Sequence, residues 1–76
     1  MKIKVNNGKE YVGETARDIV AQMSARDFET TNPDVWMGAV ERRLQNFKDF
    51  TIDFRDDAEF LQELQRIGLI RIVDME

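Results

Sequence analysis

The chain has 76 residues, 42% of them hydrophobic and 34% charged, and a formal net charge of −4 at pH 7. This length and composition predict one globular domain over residues 1–76 rather than a disordered chain. Cysteine and histidine are both absent, which excludes disulfides, thiolate metal sites and histidine-based catalysis or zinc binding. The 11 basic residues are scattered among 15 acidic ones. Because phosphate contacts need clustered lysine and arginine, we expect no nucleic-acid partner.

Neither a membrane span nor a secretion signal is expected. No apolar run approaches the ~20 residues that cross a bilayer. The first residues, MKIKVNNGKEYV, alternate polar and apolar side chains, unlike a signal peptide. We therefore expect a soluble, cytoplasmic protein with no membrane partner.

Residues 2–12 predict a β-hairpin, in which apolar and charged side chains alternate around the turn sequence NNG. Two registers are possible. A two-residue turn places Ile3 opposite Val12, whereas a three-residue turn with a glycine bulge places Ile3 opposite Tyr11 and Lys4 opposite Glu10. We favour the second register, because it pairs opposite charges on the solvent face.

Three helices are predicted from their start signals and apolar stripes. Thr15 is followed by Asp18, an approximate capping box, and Asn32 is followed by a proline at the first helical position. Asp56 and Glu59 form a further capping box, and a glycine follows the end of the third helix. The sequences FTIDF and LIRIV alternate as strands. The predicted helices are 15–25, 33–47 and 57–67, and the predicted strands are 2–6, 9–12, 50–54 and 69–73.

The second helix contains the only tryptophan and the only proline of the chain. At ~100° per residue, its large apolar side chains form one arc with Trp36 at the edge, which predicts a mostly buried tryptophan rather than a ligand platform. The residues predicted to be largely buried across the chain are Met37, Val40, Leu44, Phe47, Ile52, Phe54, Leu61, Leu64, Ile70 and Ile72.

These elements predict an α+β fold in the order ββααβαβ. Strand 50–54, helix 57–67 and strand 69–73 are joined by short connections, which favours a right-handed crossover between parallel strands. We expect two layers, with a mixed four-stranded sheet and three helices on one of its faces. The opposite, open face is expected to carry Lys2, Lys4, Thr51, Asp53, Arg71 and Val73.

The chain carries little chemistry that would indicate an enzyme. Asp53, Asp56, Asp57 and Glu59 form an acidic cluster, but capping and solvent exposure account for these carboxylates more simply than catalysis or metal binding. Ser24 has no histidine to activate it, and no glycine-rich phosphate loop is present. We therefore expect a protein that is not an enzyme, with no catalytic residue, cofactor or metal.

Two resemblances bear on this reading. The opening MKIKVNNGKEYVGETARDIVAQM, a hairpin followed directly by a helix, resembles the start of ubiquitin-like β-grasp proteins, which include small sulfur carriers. Carriers of that family end in Gly-Gly, whereas this chain ends RIVDME, so carrier activity is not expected. The segments KIKVNNGKEYVGETARDIVAQM, MGAVERRL and FLQELQRIGLI resemble small uncharacterised proteins of bacterial and prophage genomes, which implies a bacterial or phage setting.

The function expected from the sequence is a small non-catalytic protein-interaction module, such as an adaptor, regulator or inhibitor, with a protein partner. Apolar residues without an obvious partner in the core are the candidates for the binding surface, namely Phe28, Val35 and Trp36. Two alternatives remain open. The first is an acidic nucleic-acid mimic that inhibits a protein with a basic channel. The second is a structural protein that self-associates through an edge strand.

Overall fold

The structure is a computed structural model, and it describes residues 1–27 and 32–74. It confirms the α+β class, with three helices and an antiparallel sheet. The elements in chain order are β1 (Lys2–Val5), β2 (Glu10–Val12), α1 (Ala16–Asp27), α2 (Pro33–Arg43), a π-helical turn (Leu44–Lys48), α3 (Asp57–Arg66) and β3 (Ile70–Asp74).

The N-terminal hairpin adopts the predicted second register. Ile3 lies opposite Tyr11, and Lys4 lies opposite Glu10. Gly8 has a φ of 91°, a left-handed conformation that glycine adopts without steric cost. Ile3 and Tyr11 therefore share one face of the hairpin, and Lys4 and Glu10 share the other.

All three helices begin at the predicted capping residues. The amide of Asp18 donates to Thr15 Oγ1 at 3.2 Å, and the Thr15 amide donates to Asp18 Oδ2 at 3.3 Å. Asn32 Oδ1 accepts from two amides of the first turn of α2. Asp56 Oδ1 accepts from the Glu59 amide at 2.8 Å. Each cap satisfies backbone donors that have no partner within the helix.

The prediction of a mixed four-stranded sheet with a parallel crossover is wrong. Within the described residues the sheet has three strands in the order β2-β1-β3, and both pairings are antiparallel. β3 pairs with β1, so that Ile3 lies opposite Ile72 and Lys4 lies opposite Arg71. The parallel partner expected for β3 was the segment 50–54, which does not join the sheet.

Segment 50–54 is irregular, so the strand predicted there is wrong. Side chains of α3 take the place of a neighbouring strand: Glu63 Oε1 accepts from the Asp53 amide at 3.0 Å, and Arg66 Nη2 donates to the Thr51 carbonyl at 3.1 Å. Ile52 is nevertheless 2% exposed. The alternating sequence therefore predicted the burial of Ile52 correctly but not that of Phe50, which is 40% exposed. The backbone of the segment bonds to a helix instead of a sheet.

The second predicted helix changes character before its end. α2 stops at Arg43, and residues Leu44–Lys48 form a π-helical turn that ends at Asp49, which has a φ of 57°. Phe47 was predicted to be buried, which is wrong, because its side chain is 81% exposed. In a regular α-helix it would follow Val40 and Leu44 along one stripe. The i→i+5 bonds of a π-helix rotate the chain less per residue and carry Phe47 off that stripe.

The core otherwise follows the prediction. Phe60 lies at its centre, with the Trp36 ring edge-on at a centroid distance of 5.5 Å and the Phe54 ring at 4.9 Å. Such edge-to-face pairs stabilise a core beyond the area that they bury. Of the predicted core, Trp36, Met37, Leu44, Ile52, Leu61, Leu64 and Ile70 are buried, and Val40, Phe54 and Ile72 are partly buried.

One arginine connects the first turns of the three helices. Arg17 of α1 lies 2.7 Å from Asp57 Oδ2 of α3 and 3.0 Å from Asp34 Oδ1 of α2. Asp57 is buried, and its Oδ2 has no aligned hydrogen-bond donor, so the contact with Arg17 is an ion pair. Burial raises the pKa of the Asp57 carboxyl above its usual 3.8, and the Arg17 charge offsets only part of this rise.

We expect Asp49→Gly to stabilise the fold by about 1 kcal/mol, because it removes the side chain from a left-handed residue. Asp49→Ala keeps a Cβ at this position and loses any local polar contact of the aspartate, so it should lower the stability. Urea unfolding of the three proteins measures both effects. Equal losses in the two variants would contradict this account of the turn.

Arg17→Ala should destabilise the fold at neutral pH by about 1–3 kcal/mol, less than a fully buried ion pair because Arg17 is half-exposed. Without Arg17, ionised Asp57 is buried with no counter-charge. The cost of ionising an acid with a raised pKa is present above its folded pKa and is absent below its unfolded value. The loss should therefore shrink as the pH falls toward about 4.

Thermal melts of Arg17→Ala against the original chain over this pH range measure the effect. The control is Arg17→Ala in an Asp57→Asn background, where only the exposed contact to Asp34 remains. A loss that is independent of pH, or one that varies equally in both backgrounds, would contradict the role assigned to Asp57.

Candidate functional site

The structure separates the three residues that the sequence suggested as a binding surface. Phe28 lies outside the described residues. Val35 is 56% exposed, whereas its neighbour Trp36 is 3% exposed. Adjacent helical residues point about 100° apart, so these two side chains do not form one surface. A partner-binding role for Phe28 and Val35 stays a prediction, and Trp36 is a core residue.

The polar edge of the Trp36 indole is satisfied inside the protein. Its Nε1 donates to Asp27 Oδ2 at 2.9 Å, and the same oxygen accepts from Arg43 Nη2 at 3.0 Å. Burial of Asp27 opposes its ionisation, but the two hydrogen bonds and the charge of Arg43 outweigh this effect and lower its pKa below 3.8. Asp27, the last residue of α1, therefore connects this helix to Trp36 and Arg43 of α2.

The Asp27–Arg43 pair borders an apolar groove of about 340 Å³, which we call the Phe47 groove. Its apolar lining comes from α2, the π-helical turn and the residue before β3, namely Val40, Leu44, Phe47 and Leu69. Leu44 forms a buried part of the lining, and Phe47 stands out into solvent. The groove is thus an extension of the core that the protein leaves open.

The described residues on the rim of the Phe47 groove carry a net positive charge, although the chain is acidic. Asp27 and Arg43 neutralise each other through their ion pair. Lys48 also lines the groove, and within residues 1–27 and 32–74 no carboxylate forms an ion pair with it. An apolar surface with one uncompensated cation on its rim favours an apolar group flanked by an acid.

The acidic cluster of the sequence is divided among separate structural contacts. Asp56 and Glu59 cap α3, Asp57 pairs with Arg17, and the Asp53 amide bonds to Glu63. In the described part of the chain, no three acidic side chains lie close enough together to hold a metal ion. No helix in that part is both long and apolar enough to span a bilayer.

No protein-family description, curated protein or solved structure matches this chain. Sequence reasoning missed Phe47, because an α-helical stripe assigns it to the core. The available signal was the pair Lys48-Asp49 directly after it, because Asp49 is the left-handed residue that ends the π-helical turn.

Asp27→Ala should destabilise the protein by about 1–3 kcal/mol, because it leaves the buried indole N–H of Trp36 without an acceptor. Asp27→Asn keeps an acceptor oxygen and removes only the charge, so it should cost less. Since the pKa of Asp27 is lowered, the contribution of its charge is present above about pH 4 and disappears as the pH falls through the folded value.

Urea unfolding of both variants, at neutral pH and at acid pH, measures these differences. The Asn variant and the original chain should converge at low pH, while the Ala variant stays less stable. If Asp27→Ala cost no more than Asp27→Asn, the indole hydrogen bond would have no structural role.

Proposed function

We propose that this chain is a small, non-catalytic protein-interaction module that binds a segment of a partner protein in the Phe47 groove. The observation that carries the proposal is Phe47, a phenylalanine that is 81% exposed beside an open apolar groove. Aromatic side chains next to apolar pockets are the groups that contribute most to protein interfaces.

The position of Phe47 in the π-helical turn supports a role outside the core. The exposed ring contributes little to folding, since burial of apolar surface is the main stabilising effect. Short π-helical turns occur frequently at functional sites. Here the turn holds one large aromatic side chain at the edge of a surface that is already apolar.

The dimensions and charge of the groove indicate what it binds. Its volume of about 340 Å³ lies at the low end for ligand pockets, about 300–1,000 Å³, so a short segment with one or two large apolar side chains fits it. Lys48 on the rim favours a segment with an aspartate or glutamate near that apolar anchor. We therefore propose an acidic, amphipathic segment of another protein as the occupant.

The proposal extends to the layers of the fold. The three helices are inferred to cover the apolar face of the sheet as a two-layer arrangement. Ile3, Tyr11 and Ile70 of the sheet are buried, and α1 and α3 contact β2 and β3 respectively. The residues that alternate with them, Lys4 and Arg71, are exposed. The opposite sheet face is therefore free to act separately from the Phe47 groove.

Selection from a library of random peptides displayed on phage tests the proposal. The enriched peptides should share an aromatic or large aliphatic residue close to an aspartate or glutamate. Affinity is then measured by fluorescence anisotropy with the selected peptides. Phe47→Ser should weaken binding at least tenfold, as loss of a central interface residue does, and Lys48→Glu should weaken it by a smaller factor.

Val12→Ser is the matched control, because it also removes an exposed apolar side chain but lies in β2, outside the groove. It should bind like the original chain, and all three variants should unfold at nearly the same urea concentration. Equal binding by Phe47→Ser, or enrichment of no peptide, would overturn the proposal. A dimer that dissociates on Phe47→Ser would make a second copy the occupant and would also overturn it.

A further inference from the structure

The exposed face of the sheet has a different charge balance from the one that the sequence predicts. Asp53 was expected on this face, but segment 50–54 lies outside the sheet. The described side chains of the face include three cations, Lys2, Lys4 and Arg71, and one carboxylate, Glu10. A protein with a net charge of −4 therefore has a locally positive region on this face.

The two cations at one end of this face lie directly opposite each other. Lys4 of β1 and Arg71 of β3 are partners in the antiparallel ladder, and like charges in that position repel. Glu10 faces Lys4 from the other side, but it forms its ion pair with Lys2 at 3.0 Å. A hydrogen bond from Lys2 is the main cause of the lowered pKa of Glu10, and Lys4 adds a smaller effect. Among the described residues, neither Lys4 nor Arg71 forms an ion pair.

A cavity of about 460 Å³ includes both cations in its lining. Among the described residues, its other polar side chains are the amides of Asn6 and Gln65, and no carboxylate lines it. Gln65 Oε1 accepts from the Ile72 amide at 2.6 Å, which leaves the Gln65 side-chain nitrogen as a donor. The cavity is thus lined by cations and amide donors, together with Val5 and Ile70.

We propose that this cavity binds a compact oxyanion, the phosphate or carboxylate group of a small ligand. The Arg71 guanidinium can hold two oxygens of such a group, and Lys4 supplies a second positive charge. The Gln65 amide nitrogen provides a further donor. The bound anion also screens the repulsion between Lys4 and Arg71. This site is separate from the Phe47 groove and does not depend on the proposed function.

The small size of the ligand follows from the charge of the rest of the chain. The chain has 15 acidic residues, and the positive region spans only a few strand positions. A long polyanion would extend past it toward those acids and be repelled. A single anionic group can be neutralised within the cavity.

Titration of the whole chain with inorganic phosphate and, separately, with acetate tests the site by NMR. Ionic strength is held constant with sodium chloride. The amide signals of Lys4, Gln65 and Arg71 should shift and saturate in the millimolar range. Arg71→Gln and Lys4→Gln should each weaken the binding about tenfold, the factor expected for loss of a charge-assisted contact. Tighter binding of phosphate assigns a phosphorylated ligand, and tighter binding of acetate assigns a carboxylate.

Arg42→Gln is the matched control, because it removes an exposed cation elsewhere and should leave the affinity unchanged. Anion binding should also raise the melting temperature of the original chain and not that of Arg71→Gln. The proposal is overturned if the signals shift without saturation, or if the control weakens binding as much as Arg71→Gln does. Both outcomes leave the peptide-binding proposal unaffected.

Discussion

The hydrogen bond from the Trp36 indole to Asp27 is the constraint on which the packing of α1 and α2 depends. The indole is buried against Phe60, so its N–H must find an acceptor inside the protein. That acceptor is the last residue of α1. Arg43 binds the same carboxylate, which sets the position of the end of α2 relative to α1. Asp27 and Arg43 also line the Phe47 groove, so the same contact fixes one wall of the groove.

Departures from regular secondary structure create the surfaces that the core does not use. The π-helical turn removes Phe47 from the buried stripe of the second helix and leaves an apolar groove open behind it. Segment 50–54 binds to α3 instead of entering the sheet. Asp53 is therefore absent from the open sheet face, where Lys4 and Arg71 form no ion pair with any described residue. Both proposed sites follow from backbone hydrogen bonds made somewhere other than in a regular helix or sheet.

The electrostatics of the interior and of the surface serve different purposes. Arg17 compensates a buried carboxylate at the junction of the three helices, and Asp27 compensates Arg43 beside the indole. These ion pairs connect helices to one another, and within each pair the two charges neutralise each other. Lys48, Lys4 and Arg71 are exposed, and within residues 1–27 and 32–74 they form no ion pair. Their charge is available for recognition, in a chain whose overall charge is negative.

The sequence by itself determined the features that depend on near neighbours. The register of the hairpin, with Ile3 opposite Tyr11, follows from its turn and from the pairing of Lys4 with Glu10. The caps at Thr15, Asn32 and Asp56 involve residues two or three positions away. Burial of Trp36 follows from the helical period. Each of these choices is made within one turn or one hairpin, so the local pattern contains the information.

Only the tertiary structure decided which groups bind the backbone of segment 50–54 and whether the Phe47 side chain is buried or exposed. The alternating sequence of segment 50–54 predicts a strand. In the fold, the side chains of Glu63 and Arg66 bind backbone groups of this segment, which a neighbouring strand would otherwise bind. The apolar stripe of the second helix likewise assumes a constant rotation per residue, which the π-helical turn breaks. The candidate sites depend on these two outcomes. The candidate sites could not be predicted from the sequence. The hydrogen-bond partner of a backbone group depends on which group the fold brings nearest to it.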